Sequence, residues 1–223
     1  MGVEEQPASS DARTANGEQY EFDSIEDAVE EIRNGNFVIV VDNEDRENEG
    51  DLIIAAEDFT TEKAAFMIRY TSGIICVPML GERLNELELP LMVQNNTESL
   101  RTAYTITVDY AHGTTTGISA HDRSLTVRQL ANSTSQPADF NRPGHVFPLR
   151  YARGGVLKRV GHTEASVDMC RLAGKQPVAA ICEVALDNGK MARRDDLREF
   201  AKKWGLKMIT ISDLVKFRQR EER

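Results

Sequence analysis

The chain has 223 residues, and 27 Lys and Arg stand against 36 Asp and Glu, for a formal net charge of −9. That length suits one large or two small domains at roughly 150 residues each, and it buries enough surface, about 70%, to fold without disulfides or a structural metal. The acidic balance excludes a general nucleic-acid or anionic-membrane binder, since such partners are held by clustered cations; a small anion in a local cationic pocket stays open.

Residues 1–19 are polar and carry almost no large apolar side chains, so a flexible tail is expected there, with one domain over 20–223. Ser24 is placed to cap a first helix in which Ile25, Ala28, Val29 and Ile32 recur at helical spacing, and Gly35 fits its stop. The β-branched run 37–41 predicts a buried strand. An acidic loop and a second apolar run, 52–56, follow, and the pair reads as a hairpin. Helices are predicted over 61–70, 124–132, 164–173 and 195–204. Strands are predicted over 74–79, 103–110, 146–151, 178–186 and 206–211, and Ser212 is expected to cap a last helix. Strands interleaved with helices indicate an α/β protein, and the hairpin-like start makes its sheet mixed.

Three cysteines, Cys76, Cys170 and Cys182, are too few and too spread for a disulfide framework or a zinc site. Cys76 and Cys182 lie in apolar runs and read as buried reduced thiols. No apolar stretch approaches the roughly 20 residues that span a bilayer. The N-terminus shows neither the basic nor the apolar region of a secretory signal. A reducing, cytoplasmic setting is expected.

The densest chemistry lies in Asp42-Asn-Glu-Asp-Arg-Glu-Asn-Glu-Gly-Asp51. Five carboxylates (Glu44, Asp45, Glu47, Glu49, Asp51) crowd around Arg46 and repel one another unless a cation or solvent screens them. An arbitrary acidic loop is a solvated hairpin tip, but these flanks anchor the loop in the sheet. If extended, Glu47-x-Glu49-x-Asp51 aims three oxygens to one side, a donor set suited to Mg²⁺ or Mn²⁺. A second cluster is Lys158-Arg-Val-Gly-His-Thr-Glu164. Thr163 is placed to cap a helix whose free N–H groups favour an anion, Arg159 adds a forked donor, and His162 is a candidate ligand or proton carrier. Thr114-Thr-Thr-Gly-Ile-Ser119 reads either as a phosphate-binding nest or as an ordinary turn. His145 follows a Pro-Gly turn, where a surface histidine is the plainer reading. Glu183 interrupts an apolar strand, so it is paired, protonated or on the exposed face.

Together, Asp42–Leu52, Thr102-Ala-Tyr-Thr105, Thr115-Thr-Gly-Ile-Ser119, Asn141-Arg-Pro-Gly-His-Val-Phe-Pro-Leu-Arg150, Gly161-His-Thr-Glu-Ala165 and Met191-Ala-Arg193 resemble 3,4-dihydroxy-2-butanone 4-phosphate synthase of riboflavin biosynthesis, in its monofunctional form. The resemblance runs in one order from about residue 22 to 218. It implies a three-layer α/β/α sandwich with a mixed sheet, a homodimer with sites at or near the interface, and conversion of D-ribulose 5-phosphate to 3,4-dihydroxy-2-butanone 4-phosphate and formate. The implied cofactor is Mg²⁺, two ions, with Mn²⁺ able to substitute. Carried over position by position, Glu47 and His162 match metal ligands. Arg46, Asp51, Tyr104, Thr116, Arg159, Gly161, Thr163 and Glu183 match substrate-binding positions. His145, Glu183 and Asp51 match the proton-transfer groups, and which of them acts first stays open. Cys76 matches a position where a redox-sensitive thiol is expected.

Two other readings compete. One is a different metal-dependent sugar-phosphate isomerase or aldolase on the same sites, separated from the first by formate release. The other is a non-catalytic phosphate- or nucleotide-binding module, which needs a basic groove where this chain has an acidic loop.

Overall fold

The β-branched run forms β1 (Val38–Val41), and every side chain along it is buried. That pattern needs cover on both faces of a sheet. The computed structural model describes residues 22–221, and the tail expected over 1–19 lies outside them. β1 pairs antiparallel with β2 (Gly50–Ala55), so the first hairpin forms as expected. β3 (Cys76–Met79), β4 (Val108–Tyr110), β5 (Phe140–Arg150), β6 (Ala179–Glu183) and β7 (Lys207–Thr210) complete a seven-stranded sheet in the order β4-β5-β3-β6-β2-β1-β7. The β1–β7 and β3–β5 pairs are parallel and the others antiparallel, which makes the sheet mixed.

Alternation along β1 sorts the core into two layers. Ile39 and Val41 face one side, with α2 (Thr61–Tyr70), α3 (Gly81–Glu86), α4 (Ala120–Ala131) and α6 (Arg194–Trp204). Val38 and Val40 face the other, with α1 (Ile25–Arg33), α5 (His162–Leu172) and α7 (Ile211–Glu221). The three-layer α/β/α sandwich is therefore what the chain adopts. Full burial of a Leu or Ile in such a layer contributes about 1.5–3 kcal/mol, and both layers are built largely of such residues.

Several boundaries differ from expectation, each for a local reason. β2 begins at Gly50, two residues early, because Asp51 pairs in register with Val40 and Glu183. A Cβ at Gly50 would overlap the Leu197 side chain of α6, which would have to shift to make room for it. The strand expected over 103–110 survives only as β4; a register shift between Val108 and Asp109 breaks the ladder, and Tyr104 and Thr105 make isolated bridges. α4 starts at Ala120, capped by Ser119, whose hydroxyl accepts from Asp122 N at 3.0 Å. Its first turn looks polar in sequence, yet Asp122 and Arg123 are buried. The last helix is capped by Thr210 rather than Ser212, through a 2.9 Å bond from Asp213 N. α3 was not anticipated, since it is short and contributes one buried side chain, Leu84. Among the described residues no helix is long and apolar enough to cross a membrane.

Candidate active site

The ends of three adjacent strands, β1, β2 and β6, meet the start of α5, and the acidic loop folds over that junction. Asp42, at the end of β1 and 4% exposed, organises the loop. Its Oδ1 accepts from Glu49 N and its Oδ2 from Glu47 N, both at 3.0 Å, and Oδ2 also accepts from Arg46 Nη1 at 2.9 Å. The loop is thus a turn closed on a side chain, with Asn48 in the left-handed region at φ 53°, and not the extended segment expected. Glu47, Glu49 and Asp51 still converge, because the turn brings all three to one pocket. Arg193 braces the loop from outside by donating to Glu47 O at 3.0 Å.

His162 is the first residue of α5, and Gly161 precedes it as N-cap; Thr163, expected as the cap, lies inside the helix. A Cβ at Gly161 would overlap the Arg159 guanidinium and crowd that of Arg46, so a side chain there would displace the cations of the pocket. The Nε2 of His162 faces Val40 O at 3.1 Å. Its Nδ1 lies 3.3 Å from Glu47 Oε2 and 3.8 Å from Asp51 Oδ1. Burial by itself lowers the imidazole pKa, but Asp51, Glu47 and Asp42 overcome it and raise it to about 9. Burial also opposes ionisation of Glu47, yet His162 and Arg46 hold that carboxyl below its usual value. Asp51, 3% exposed, is pushed up to about 7 by burial first, against His162 and with Glu183.

Arg159 enters the same pocket from the loop before α5. Its guanidinium donates to Glu164 Oε2 at 2.7 Å, to Leu100 O at 3.1 Å and to Thr102 Oγ1 at 3.3 Å. Thr163, Tyr104 and Thr102 line the wall beside it, and Glu183 closes the far side, half-buried at the end of β6, where it accepts from Ser72 Oγ at 2.7 Å. The pocket therefore combines four carboxylates and an imidazole with two guanidinium groups, those of Arg46 and Arg159.

A sequence profile described as 3,4-dihydroxy-2-butanone 4-phosphate synthase matches residues 26–217. The chain belongs to this family. Proteins named for this synthase are 61% identical in Schizosaccharomyces pombe, covering 87% of this chain and 96% of the relative, and 59% identical in Agrobacterium fabrum, covering 86% and 91%. A riboflavin biosynthesis protein of Arabidopsis thaliana, described as monofunctional and chloroplastic, is 52% identical over 100% of this chain and 49% of its own length. A crystal structure of a synthase in complex with two magnesium ions is 51% identical, covers 90% of this chain and 99% of that one, and superposes with a TM-score of 0.88. Membership makes the chain an enzyme of riboflavin biosynthesis.

Not every residue matched to the synthase family enters the pocket. Arg46, Glu47, Asp51, Tyr104, Arg159, His162, Thr163, Glu183 and Cys76 line it. His145 and Thr116 do not, and Gly161, between Arg159 and His162, does not line it either. His145 lies within β5, longer than the strand expected over 146–151, and pairs with Asp109. In the 114–119 segment Thr115 N, Thr115 Oγ1 and Gly117 N all donate to Asp122 Oδ2, so those three donors are occupied by the chain itself. Cys76 is 4% exposed, and burial, then Glu183, raises its thiol pKa well above the usual value. A thiol held protonated is a poor nucleophile, which runs against the redox-sensitive role expected for it.

Asp42 and Thr102 are site residues that sequence reasoning did not single out, whereas it placed Glu49 in one oxygen donor set with Glu47 and Asp51. Asp42 left a signal: an Asp directly after a buried strand and before a polar loop is placed to bond the main chain ahead of it.

Proposed function

We propose that this enzyme converts D-ribulose 5-phosphate to 3,4-dihydroxy-2-butanone 4-phosphate and formate, with Mg²⁺ bound. The overall change balances, one five-carbon phosphate giving a four-carbon phosphate and formate. The observation that carries the reading is the pocket itself: four carboxylates and a buried imidazole beside Arg159, in a chain of this family.

The donor set fits a hard divalent cation. Asp42, Glu47 and His162 each offer a ligand atom, and those atoms lie within 4.8 Å of one another. Asp51 Oδ1 is buried with no hydrogen-bond partner among the described residues. With Nε2–H turned to Val40 O, the raised pKa puts a second proton on His162 Nδ1, facing Glu47 at 3.3 Å, and a divalent cation would take the place of that proton between the two ligand atoms. Glu47 and His162 are the residues proposed to hold Mg²⁺, two ions, with Mn²⁺ as substitute. When bound, the metal supplies Lewis-acid stabilisation of negative charge on substrate oxygens.

The side chains divide the remaining work. Arg159, Gly161 and Thr163 grip the phosphate end, where the start of α5 adds a favourable dipole. Arg46, Asp51 and Tyr104 orient the sugar hydroxyls. Asp51, Glu183 and His145 move protons through enediol formation, dehydration, the 1,2-shift of the skeleton and formate release.

A homodimer is part of this reading. His145 stands beside Gly117, the neighbour of Thr116, and exposed Ile118 lies next to them, an apolar side chain suited to a second copy of the chain. In such a dimer His145 and Thr116 serve the partner's pocket. A cytoplasmic setting goes with the reduced cysteines. The test is incubation with ribulose 5-phosphate and Mg²⁺, with and without chelator, while formate is assayed. Isomerised pentose phosphate without formate would favour the isomerase reading. Mixing inactive H145A and E47Q subunits tests the shared site: recovery of about a quarter of wild-type activity supports it, because half of the randomly paired dimers keep one intact pocket.

A further inference from the structure

The geometry points to Asp109 as the residue that positions His145 for proton transfer, an inference that rests on the part in catalysis proposed above for His145. Asp109, on β4 and 8% exposed, holds His145 at two points. Its Oδ1 accepts from His145 N at 2.8 Å, and its Oδ2 lies 2.7 Å from His145 Nδ1. One carboxylate thus fixes both the main chain and the ring of the same residue.

An ionised carboxylate only accepts hydrogen bonds, so the short contact assigns the proton to Nδ1. Nε2 is then the nitrogen with a free lone pair, on a side chain that is 42% exposed. A proton taken from substrate arrives at Nε2 and leaves from it. Nδ1 keeps its own proton throughout, and the carboxylate stabilises the imidazolium between the two events without being protonated.

The surroundings are shaped for this contact. Gly117 has φ 94°, and a Cβ there would overlap Asp109 Oδ2 and press on His145 Nδ1. The turn that carries Gly117 is pinned by the Asp122 carboxylate. The β4–β5 register jumps from Val108 opposite Val146 to Asp109 opposite Asn141, so residues 142–145 are the extra stretch of β5, and His145 lies in it beside Asp109. A carboxylate serving the fold alone would need neither the ring contact nor the glycine beside it.

The test compares D109N, D109E and H145A in the full-length enzyme. Asn keeps an oxygen for His145 N but presents an amide to the ring, which forces the other tautomer. D109N is expected to lower kcat at least about 100-fold with KM within about twofold, by analogy with other disrupted imidazole–carboxylate pairs. The ¹⁵N NMR signals of His145 should exchange their protonated and unprotonated nitrogens. D109E should recover part of kcat, and D109N/H145A should be no slower than H145A. A D109N enzyme with wild-type kcat beside an inactive H145A overturns the inference and leaves the proposed function standing. A D109N loss with an unchanged tautomer, or a D109E variant no better than D109N, also overturns it. Full activity in H145A overturns the reading beneath it.

Discussion

Asp51 and Glu183 stand directly opposite each other on neighbouring antiparallel strands, so both side chains leave the same face of the sheet at the pocket floor. Like charges in that relationship repel by roughly 0.2–1 kcal/mol even at exposed positions. Here one of the pair is buried, and its pKa rises to about 7. E183Q removes the opposition. It should leave substrate binding intact, keep or raise thermal stability by up to about 1 kcal/mol, and stop formate release. An unfolded E183Q, read by circular dichroism, would assign Glu183 to the fold instead of the chemistry.

The Glu47–His162 pair joins the first hairpin to α5 at 3.3 Å. E47Q and H162A should each weaken Mg²⁺ at least about 10- to 100-fold and lose activity in parallel. Titrating formate release with Mg²⁺, alongside calorimetric metal binding, checks this. Wild-type turnover at unaltered Mg²⁺ in either variant removes the ligand assignment.

Arg159 has three acceptors within the chain, so its guanidinium is held in place before substrate arrives. R159A should raise KM about 10- to 100-fold, the equivalent of a charged hydrogen bond of about 1.5–3 kcal/mol, with a smaller effect on kcat. E164A, which frees the guanidinium, should move KM the same way and cost about 1–3 kcal/mol of stability. A fall in kcat at constant KM would place Arg159 at the reacting carbons and not at the phosphate.

Glu98 ties down the loop that supplies Leu100 O to Arg159. The Leu100 and Thr102 main-chain N–H groups donate to its carboxylate at 2.9 and 2.8 Å and hold its pKa at about 2. Its folded value lies below the ordinary one, so its stabilisation is complete above the ordinary carboxylate range and is lost as pH falls toward about 2. Urea unfolding of wild type and E98Q between pH 2 and 6 should show the two converging at the acid end and the wild type more stable at the upper end. Parallel curves would refute the assignment.

The hairpin and most helices were legible because each rests on local signals: β-branched runs, helical spacing, and a stop glycine such as Gly35; the three-layer arrangement was implied only by the family resemblance. Boundaries failed where a polar residue is buried by a distant partner. Asp51 joins β2 because β1 and β6 flank it, and the first turn of α4 is buried because Asp122 receives the 115–117 turn. Of the site, the acidic loop and the Arg159–Thr163 cluster were visible as unusual local chemistry. Asp42 was read as part of a charge run, since its role consists of hydrogen bonds to its own following residues.

By itself the sequence determined that the chain is a mixed α/β protein, and it supplied the two chemical ingredients of the site, a dense carboxylate loop and an Arg–Gly–His–Thr helix start. Periodicity and charge density are properties of neighbouring residues, so a linear reading captures them. Only the tertiary structure decided that Glu47 and His162 meet, that Asp51 faces Glu183, and that His145 stands with Asp109 outside the pocket. Those pairings depend on strand order and on register, in which a one-residue slip sends every side chain of a strand to the opposite face.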